Sequence, residues 1–303
     1  MDAERSPLVS VDRLAGWLAG SPQVVIVDLR WYLGRRGDGH KAYLDGHLPG
    51  AIFLDLDDDL ADHAGYGAPG RHPLPPPEAF VGRMAAVGIG DGMRVVGYDD
   101  VGGWVAARLW WMLDNLGYGR RGIEGEFIGV LDGGIKAWTE SGHGLETGEV
   151  ATASSAGGAP LTLQGPWHGV IEREDLKARL GTVRLLDARA PERYRGEVEP
   201  VDPVAGHIPT AVSAPLGGNL DADGRFKDQA GILAGYAGLG ITPSSGDDVV
   251  VSCGSGTSAT HHSLAMRVAG LPDPILYVGS FSDWSRSGEH VATGAEPGEP
   301  PAS

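Results

Sequence analysis

Runs of four to six apolar residues recur along the chain and alternate with segments whose apolar positions repeat every three or four residues. VVIVDL (24–29), MRVVGYD (93–99) and FIGVLDG (127–133) have counterparts in VRLLDAR (183–189), DDVVVSCG (247–254) and PILYVGS (274–280). Helical patterns such as GWVAARLWWMLDNLG (103–117) and SATHHSLAMRVAGL (258–271) lie between them. Unbroken Val, Ile and Leu predict strands buried on both faces, hence an α/β fold with mostly parallel sheets and helices on both sides. Ligands of such sheets sit outside the carboxyl ends of the strands, and the run VVVSC brings Cys253 to that edge.

Several phrases occur twice in the same order. VDLR (27–30) is answered by LDAR (186–189), DGHLPGA (45–51) by AGHIPTA (205–211), VVGYDD (95–100) by VVVSCG (249–254) and LDGGIKAW (131–138) by YVGSFSDW (277–284). The offsets, 159 for Asp28 to Asp187, 160 for His47 to His207, 154 for Asp99 to Cys253 and 146 for Trp138 to Trp284, stay near half the length, which predicts a tandem duplication. Residues 142–168 lack periodicity and are rich in Gly, Ala, Ser and Thr. The expected organisation is therefore a first domain over 1–145, a linker over 146–168 and a second domain over 169–303, with a tail from about His290 that frays or lies along the surface.

The 303 residues suffice for two domains at about 150 each. Gly (49) and Pro (21) fill nearly a quarter of the chain, so the elements should be short and joined by tight turns. A formal charge of −16 with no basic cluster sets the surface against a phosphate backbone, so nucleic acid is excluded as a partner. The acidic, polar start MDAERSPLVS and the shortness of every apolar run exclude a secretory signal and a membrane span, which leads to the expectation of a cytoplasmic protein without membrane partners.

Cys253 is the only cysteine, so an internal disulfide, a Cys-x-x-Cys redox pair and a multi-thiolate zinc site are all excluded. A lone cysteine reads first as a small buried hydrophobe, but its neighbours point elsewhere. CGSGTS follows a strand and precedes a helix read from about Thr257. Its two glycines can turn amides inward while the helix aims its positive end at the sulfur, an arrangement that favours a negative sulfur species. A phosphatase loop of the Cys-x5-Arg type would need arginine where Ala259 stands, and GSGTSAT lacks the lysine of a nucleotide-binding loop.

The ordered set VDLRW, GHLPGA, RHPLP, LDGGIKAW, LDAR, GHIP, CGSG and the closing DW resembles the tandem-domain rhodaneses, the thiosulfate and 3-mercaptopyruvate sulfurtransferases, from about residue 8 to 286. The resemblance implies two rhodanese-like domains with an active cysteine loop only in the second, since Asp99 stands at the matching position of the first. It implies Cys253 as a nucleophile that accepts a sulfane sulfur as a persulfide, a cradle made by the backbone of Gly254, Ser255, Gly256, Thr257 and Ser258, and no metal or organic cofactor. The donor would be a small anion, and the acceptor a thiol, cyanide or a small redox protein. Arg193 matches the family's substrate-binding arginine, with Arg189 and Arg195 close by in sequence; a salt-bridged structural arginine is the other reading.

CGSG is similar to the mercaptopyruvate enzymes, whereas the lack of a second arginine in EVEPVDPVA is unlike them. A Ser–His–Asp relay, as in those enzymes, would fall on Ser255, His72 and Asp57. A second functional reading is a rhodanese-fold module that carries or senses sulfur without turnover, since Thr257 and Ser258 replace the bulkier residues often found there. Other features read as structural. His47 and His207 fix loops, Asp55 to Asp59 form a turn or helix start because no glycine stands at the position a calcium loop needs, and Trp104, Trp110 and Trp111 pack at helical spacing. His261 and His262 lie behind Cys253 and point partly away from it.

Overall fold

The computed structural model describes residues 6–20, 23–62, 70–150, 160–162, 165–245 and 248–300. The apolar runs form two sheets, each of five strands and parallel throughout. The first contains β1 (Leu8–Val9), β2 (Val24–Asp28), β3 (Ile52–Phe53), β4 (Arg94–Tyr98) and β5 (Phe127–Leu131) in the order β1-β5-β4-β2-β3. The second contains β6 (Val170–Ile171), β7 (Arg184–Asp187), β8 (Val212–Ser213), β9 (Val249–Ser252) and β10 (Ile275–Tyr277) in the order β6-β10-β9-β7-β8. The two orders are the same once the second is renumbered from one, so the duplication read from the sequence is a duplication of topology.

Helices pack on both faces of each sheet, and each sheet has its own core. In the first, Val9, Leu14, Ile26, Val96, Leu131 and Trp138 lie together, and in the second, Leu176, Leu185, Val250, Tyr277, Phe281 and Trp284. Central strand registers align Ile26 with Val96 and Leu186 with Val251, placing β-branched and leucine side chains in facing layers.

The contacts divide the chain into two units. One comprises the described residues of Met1–Asp62, Pro75–His168 and Ala222–Phe226, and the other those of His63–Leu74, Gly169–Asp221 and Lys227–Ser303. The chain passes from one unit to the other after residue 168, and residues 70–74 and 222–226 each belong with the other repeat's unit. The linker and the tail both make backbone pairs. Glu146 bridges His47, Gly148 donates to the Leu44 carbonyl at 2.9 Å, and Trp167 stacks on Trp111 and donates to the Pro75 carbonyl at 2.7 Å. Both ends of 146–168 are thus bound to the first unit, while 151–159 lie outside the described residues. In the second unit Ala292 bridges His207, and the Pro297 carbonyl accepts the Thr210 amide at 2.6 Å, so the tail is tied down rather than frayed. Backbone pairing of this kind needs no apolar period, which is why neither segment announced itself.

Each repeat also buries one ion pair at the end of its second strand. Arg30 forms a bidentate pair with Asp28 and donates to the Gly46 carbonyl at 2.6 Å; Arg189 does the same with Asp187 and the Gly206 carbonyl at 2.7 Å. Burying such charges is costly unless every partner is in place. Arg30→Ala should strand the Asp28 carboxylate and lower stability by about 3–5 kcal/mol, read as a shift in the urea midpoint followed by tryptophan fluorescence.

Candidate active site

Strand β9 ends at Ser252, so the chain leaves the sheet at its carboxyl edge as Cys253, flanked by β7 and β10. The following helix runs from Thr260 to Ala269, three residues later than the sequence suggested. The delay has a local cause: the Thr257 carbonyl accepts both the amide (3.1 Å) and the hydroxyl (2.7 Å) of Thr260, closing a turn before the helix begins. Gly256 has φ +76°, and a Cβ there would lie 2.3 Å from the Val278 carbonyl oxygen, so only glycine fits that point of the loop.

The loop is pinned from below by the start of the helix Ser280–Trp284. Phe281 donates to the Cys253 carbonyl at 3.0 Å and Ser282 to the Gly254 carbonyl at 2.8 Å. The Ser280 hydroxyl accepts the Cys253 amide at 3.1 Å and donates to the Tyr277 carbonyl at 2.8 Å. Ser280 holds φ +51°, a left-handed conformation that a residue with a side chain rarely adopts. Its counterpart in the first repeat is Gly134, at φ +56°. The second repeat thus tolerates strain at this point, and the serine hydroxyl ties the backbone of the cysteine. Sequence reading missed Ser280, although the alignment of GGIKAW with GSFSDW exposes the change.

The first repeat shows what this loop shape does. Asp99, fully buried at the position matching Cys253, accepts the amides of Val101 (3.0 Å), Gly103 (2.8 Å), Val105 (2.9 Å) and Ala106 (3.1 Å). Burial outweighs the four amides and holds this carboxyl above its usual range. The matching amides of Ser255, Thr257 and Ala259 meet no backbone carbonyl among the described residues. The fourth matching amide, that of Thr260, donates to the Thr257 carbonyl instead, so three of the four corresponding donors lack a backbone acceptor among the described residues.

Cys253 is 1% exposed, but its surroundings are not hydrocarbon. A Cβ built on Gly254 would lie 2.9 Å from Arg71 Nη2 and 3.6 Å from Arg193 Nη1. Arg193 donates to Glu199 at 2.7 Å, and Arg71 and Arg286 both donate to Asp202, the latter at 3.0 Å. Burial would raise the Glu199 carboxyl, but hydrogen bonds from Arg193 and from the Asp202 and Val201 amides outweigh it and hold the group below its usual range. Arg189 is committed to Asp187 and lies 3.8 Å over the Phe281 ring, as a structural ion pair. Arg195 pairs with Glu197 near the surface.

His72 Nδ1 lies 2.7 Å from Ser255 Oγ and 3.4 Å from Thr257 Oγ1, all buried. Residues 183 apart in sequence are thereby joined in one unit. Asp57 belongs to the first unit, on the helix Leu56–Asp59, where its Oδ2 accepts the Trp31 indole N–H at 2.9 Å. Asp55 caps that helix through the amides of Asp57 and Asp58, the helix start read from the sequence. Arg71, Asp202 and Arg286 were not foreseen; the adjacency of Arg71 to His72 in RHPLP was the one available signal.

The remaining histidines take structural partners. His47 Nδ1 meets the Tyr43 carbonyl at 2.9 Å and His207 Nδ1 the Tyr194 carbonyl at 2.8 Å. Among the described residues no group of three or more His, Cys, Asp or Glu is placed to hold a metal ion, and no helix is long and apolar enough to cross a membrane.

Two α/β units built on one topology, of which one presents a thiol where its central strand gives way to a helix, define a class that comparison makes specific. The Rhodanese-like domain family matches residues 10–141 and again 172–287, and the chain belongs to that family. It is 41% identical over 288 residues to a putative thiosulfate sulfurtransferase of Mycobacterium tuberculosis, covering 94% of this chain and 96% of the relative. It is 40% identical over 292 residues to a probable 3-mercaptopyruvate sulfurtransferase of Pseudomonas aeruginosa, covering 95% and 98%. The solved structure of 3-mercaptopyruvate sulfurtransferase from Leishmania major superposes with a TM-score of 0.77 at 27% identity, covering 94% of this chain and 75% of that one.

His262 supplies a test of the packing behind the loop. Its Nε2–H donates to the Ala214 carbonyl at 2.8 Å, so Nδ1 accepts from the Tyr236 hydroxyl at 2.7 Å and the ring is neutral. Burial outweighs the opposing influence of the Ala214 carbonyl and Asp187 and pushes it down from 6.5 to about 4. Above pH 6.5 neither state binds the proton. As pH falls from 6.5 towards 4 the unfolded chain takes it up while the folded one does not, so stability should fall by up to about 3 kcal/mol. His262→Gln should flatten that acid limb in urea titrations at stepped pH.

Proposed function

We propose that the chain is a sulfurtransferase in which Cys253 takes a sulfur atom from a small anionic donor, holds it as a persulfide and passes it to an acceptor. The observation that supports this reading is the pairing of the two loops: where the first repeat binds the Asp99 carboxylate through four amides, the second carries a cysteine, and three of the corresponding amides meet no backbone carbonyl among the described residues. The family and the names of its members support the same reading. Those names divide between two donors, thiosulfate and 3-mercaptopyruvate.

With thiosulfate, the Cys253 thiolate attacks the outer sulfur, the S–S bond breaks, and sulfite leaves with the bonding pair, giving Cys253 persulfide anion. No proton moves. With 3-mercaptopyruvate, the thiolate attacks the thiol sulfur, the C–S bond breaks towards carbon, and the products are a protonated persulfide and the enolate of pyruvate. The proton must then pass from the persulfide to the enolate. Ser255, 2.7 Å from His72, is the group we assign to that transfer, with His72 orienting it. Asp57 is the third member by resemblance to the family. The backbone of Gly254, Ser255, Gly256, Thr257 and Ser258 receives the negative persulfide, whose extra atom is larger and softer than oxygen and suits small residues. Arg193, beside Gly254, binds the donor's anionic end.

The acceptor, a thiol, cyanide or a small redox protein, attacks the outer sulfur and releases the Cys253 thiolate. A nucleophile that must cycle through the reduced thiol suits the cytoplasm, where thiols are kept reduced.

Intact-mass measurement after incubation with each donor should show one added sulfur atom on the wild-type chain and none on Cys253→Ser. Absence of that atom with both donors would end this reading, and one equivalent of sulfur without continuing pyruvate or sulfite release would make the protein a carrier. Ser255→Ala should lower kcat with 3-mercaptopyruvate by about 10²-fold while leaving sulfite release from thiosulfate nearly unchanged. Arg193→Ala should raise KM for the donor far more than it slows transfer to the acceptor, since it removes uniform binding of the anion.

A further inference from the structure

The arginines beside the cysteine loop are largely neutralised before any donor arrives. Among the described residues meeting this loop or its arginines, Arg71, Arg189, Arg193 and Arg286 stand against Asp187, Glu199 and Asp202. Asp187 and Glu199 have obvious duties, the first holding Arg189 at the strand end and the second orienting Arg193. Asp202 holds its arginines through one oxygen only. Its side chain is 0% exposed. Oδ1 takes both Arg71 Nη1 and Arg286 Nη1, whereas Oδ2 is buried without a hydrogen bond, 3.6 Å from Arg193 Nη2. A carboxylate oxygen left bare among guanidinium groups is expensive in hydration. It remains because the loop 197–204 presses it there: Glu199 Oε1 accepts the amides of Val201 (3.0 Å) and Asp202 (3.1 Å), closing the turn that aims the side chain inward.

Resting on the sulfurtransferase reading, we propose that Asp202 is a built-in counter-anion that sets which donor charge the site accepts. It occupies the arginine cluster that a donor must meet at Gly254, and so leaves about one net positive charge to the incoming anion. Singly charged donors, such as an α-keto acid bearing a neutral thiol, are matched by that field. Doubly charged donors, such as thiosulfate, meet the same cations with an added repulsion from Asp202. The physical signature is simple. Coulomb energy scales with the charge of the donor, so whatever factor Asp202 imposes on a monoanion it imposes squared on a dianion.

The test is to measure kcat/KM for 3-mercaptopyruvate and thiosulfate with the full chain, wild type and Asp202→Asn, at low and high salt. Asp202→Asn should raise kcat/KM about threefold for the monoanion and about tenfold for the dianion, with both gains shrinking at high salt. Arg286→Gln, at a side chain 48% exposed, removes a cation instead of an anion and should change both values in the opposite direction, again more for thiosulfate. Asp202→Glu should restore the wild-type ratio. An equal change for the two donors in both Asp202→Asn and Arg286→Gln would show that Asp202 only supports the loop, and would overturn the proposal. Wild-type protein that turns over neither donor would instead overturn the sulfurtransferase reading itself.

Discussion

The loop at the carboxyl edge of the first sheet turns four backbone amides towards one point, and a negative group belongs there. The geometry is fixed by the parallel sheet, which ends its central strand at that edge, and by the tight loop that leads from it into the following helix. In the first repeat the negative group is the Asp99 carboxylate, held by four N–H donors and fully buried. The loop is satisfied and closed. In the second, the same place holds a thiol, which gains, carries and loses a sulfur atom in the proposed cycle. Chemistry and scaffold thus differ by the identity of one side chain in a shared backbone trap.

Around that trap the second repeat adds charge and strain that the first lacks. Gly134 becomes Ser280, whose hydroxyl holds the cysteine amide at the cost of a left-handed conformation. The Asp–Arg pair at the end of the second strand is common to both repeats and is scaffolding. Arg71, Arg193 and Arg286 are not part of that pair, and together with Glu199 and Asp202 they build a cationic rim in a chain whose net charge is −16. A local excess of positive charge in an acidic protein concentrates small anions beside the cysteine loop.

The strands, their parallel pairing and the duplication were legible because buried strands leave unbroken apolar runs and duplicated loops leave repeated phrases. Cys253 was legible because it is solitary and sits between a strand and glycines. The helix start was misplaced by three residues, since a turn closed on the Thr257 carbonyl comes before the helix. Residues 146–150 and 290–298 read as uncommitted because backbone bridges to His47 and His207 impose no pattern on side chains. The pairing of Arg71 with Asp202 spans 131 residues and was invisible, as any ion pair is when only the fold brings its members together.

The exchange of short segments between the units has a consequence for how the protein is made. A ribosome that has released residues up to 168 has delivered most of the first unit but not Ala222–Phe226, whose Phe226 amide bonds Asp132 at 2.9 Å. The second unit depends in turn on residues synthesised long before it, since Arg71 and His72 come from the amino-terminal half. The first unit is therefore complete only once residue 226 has been made, and the amino-terminal repeat lends the second unit a histidine and an arginine.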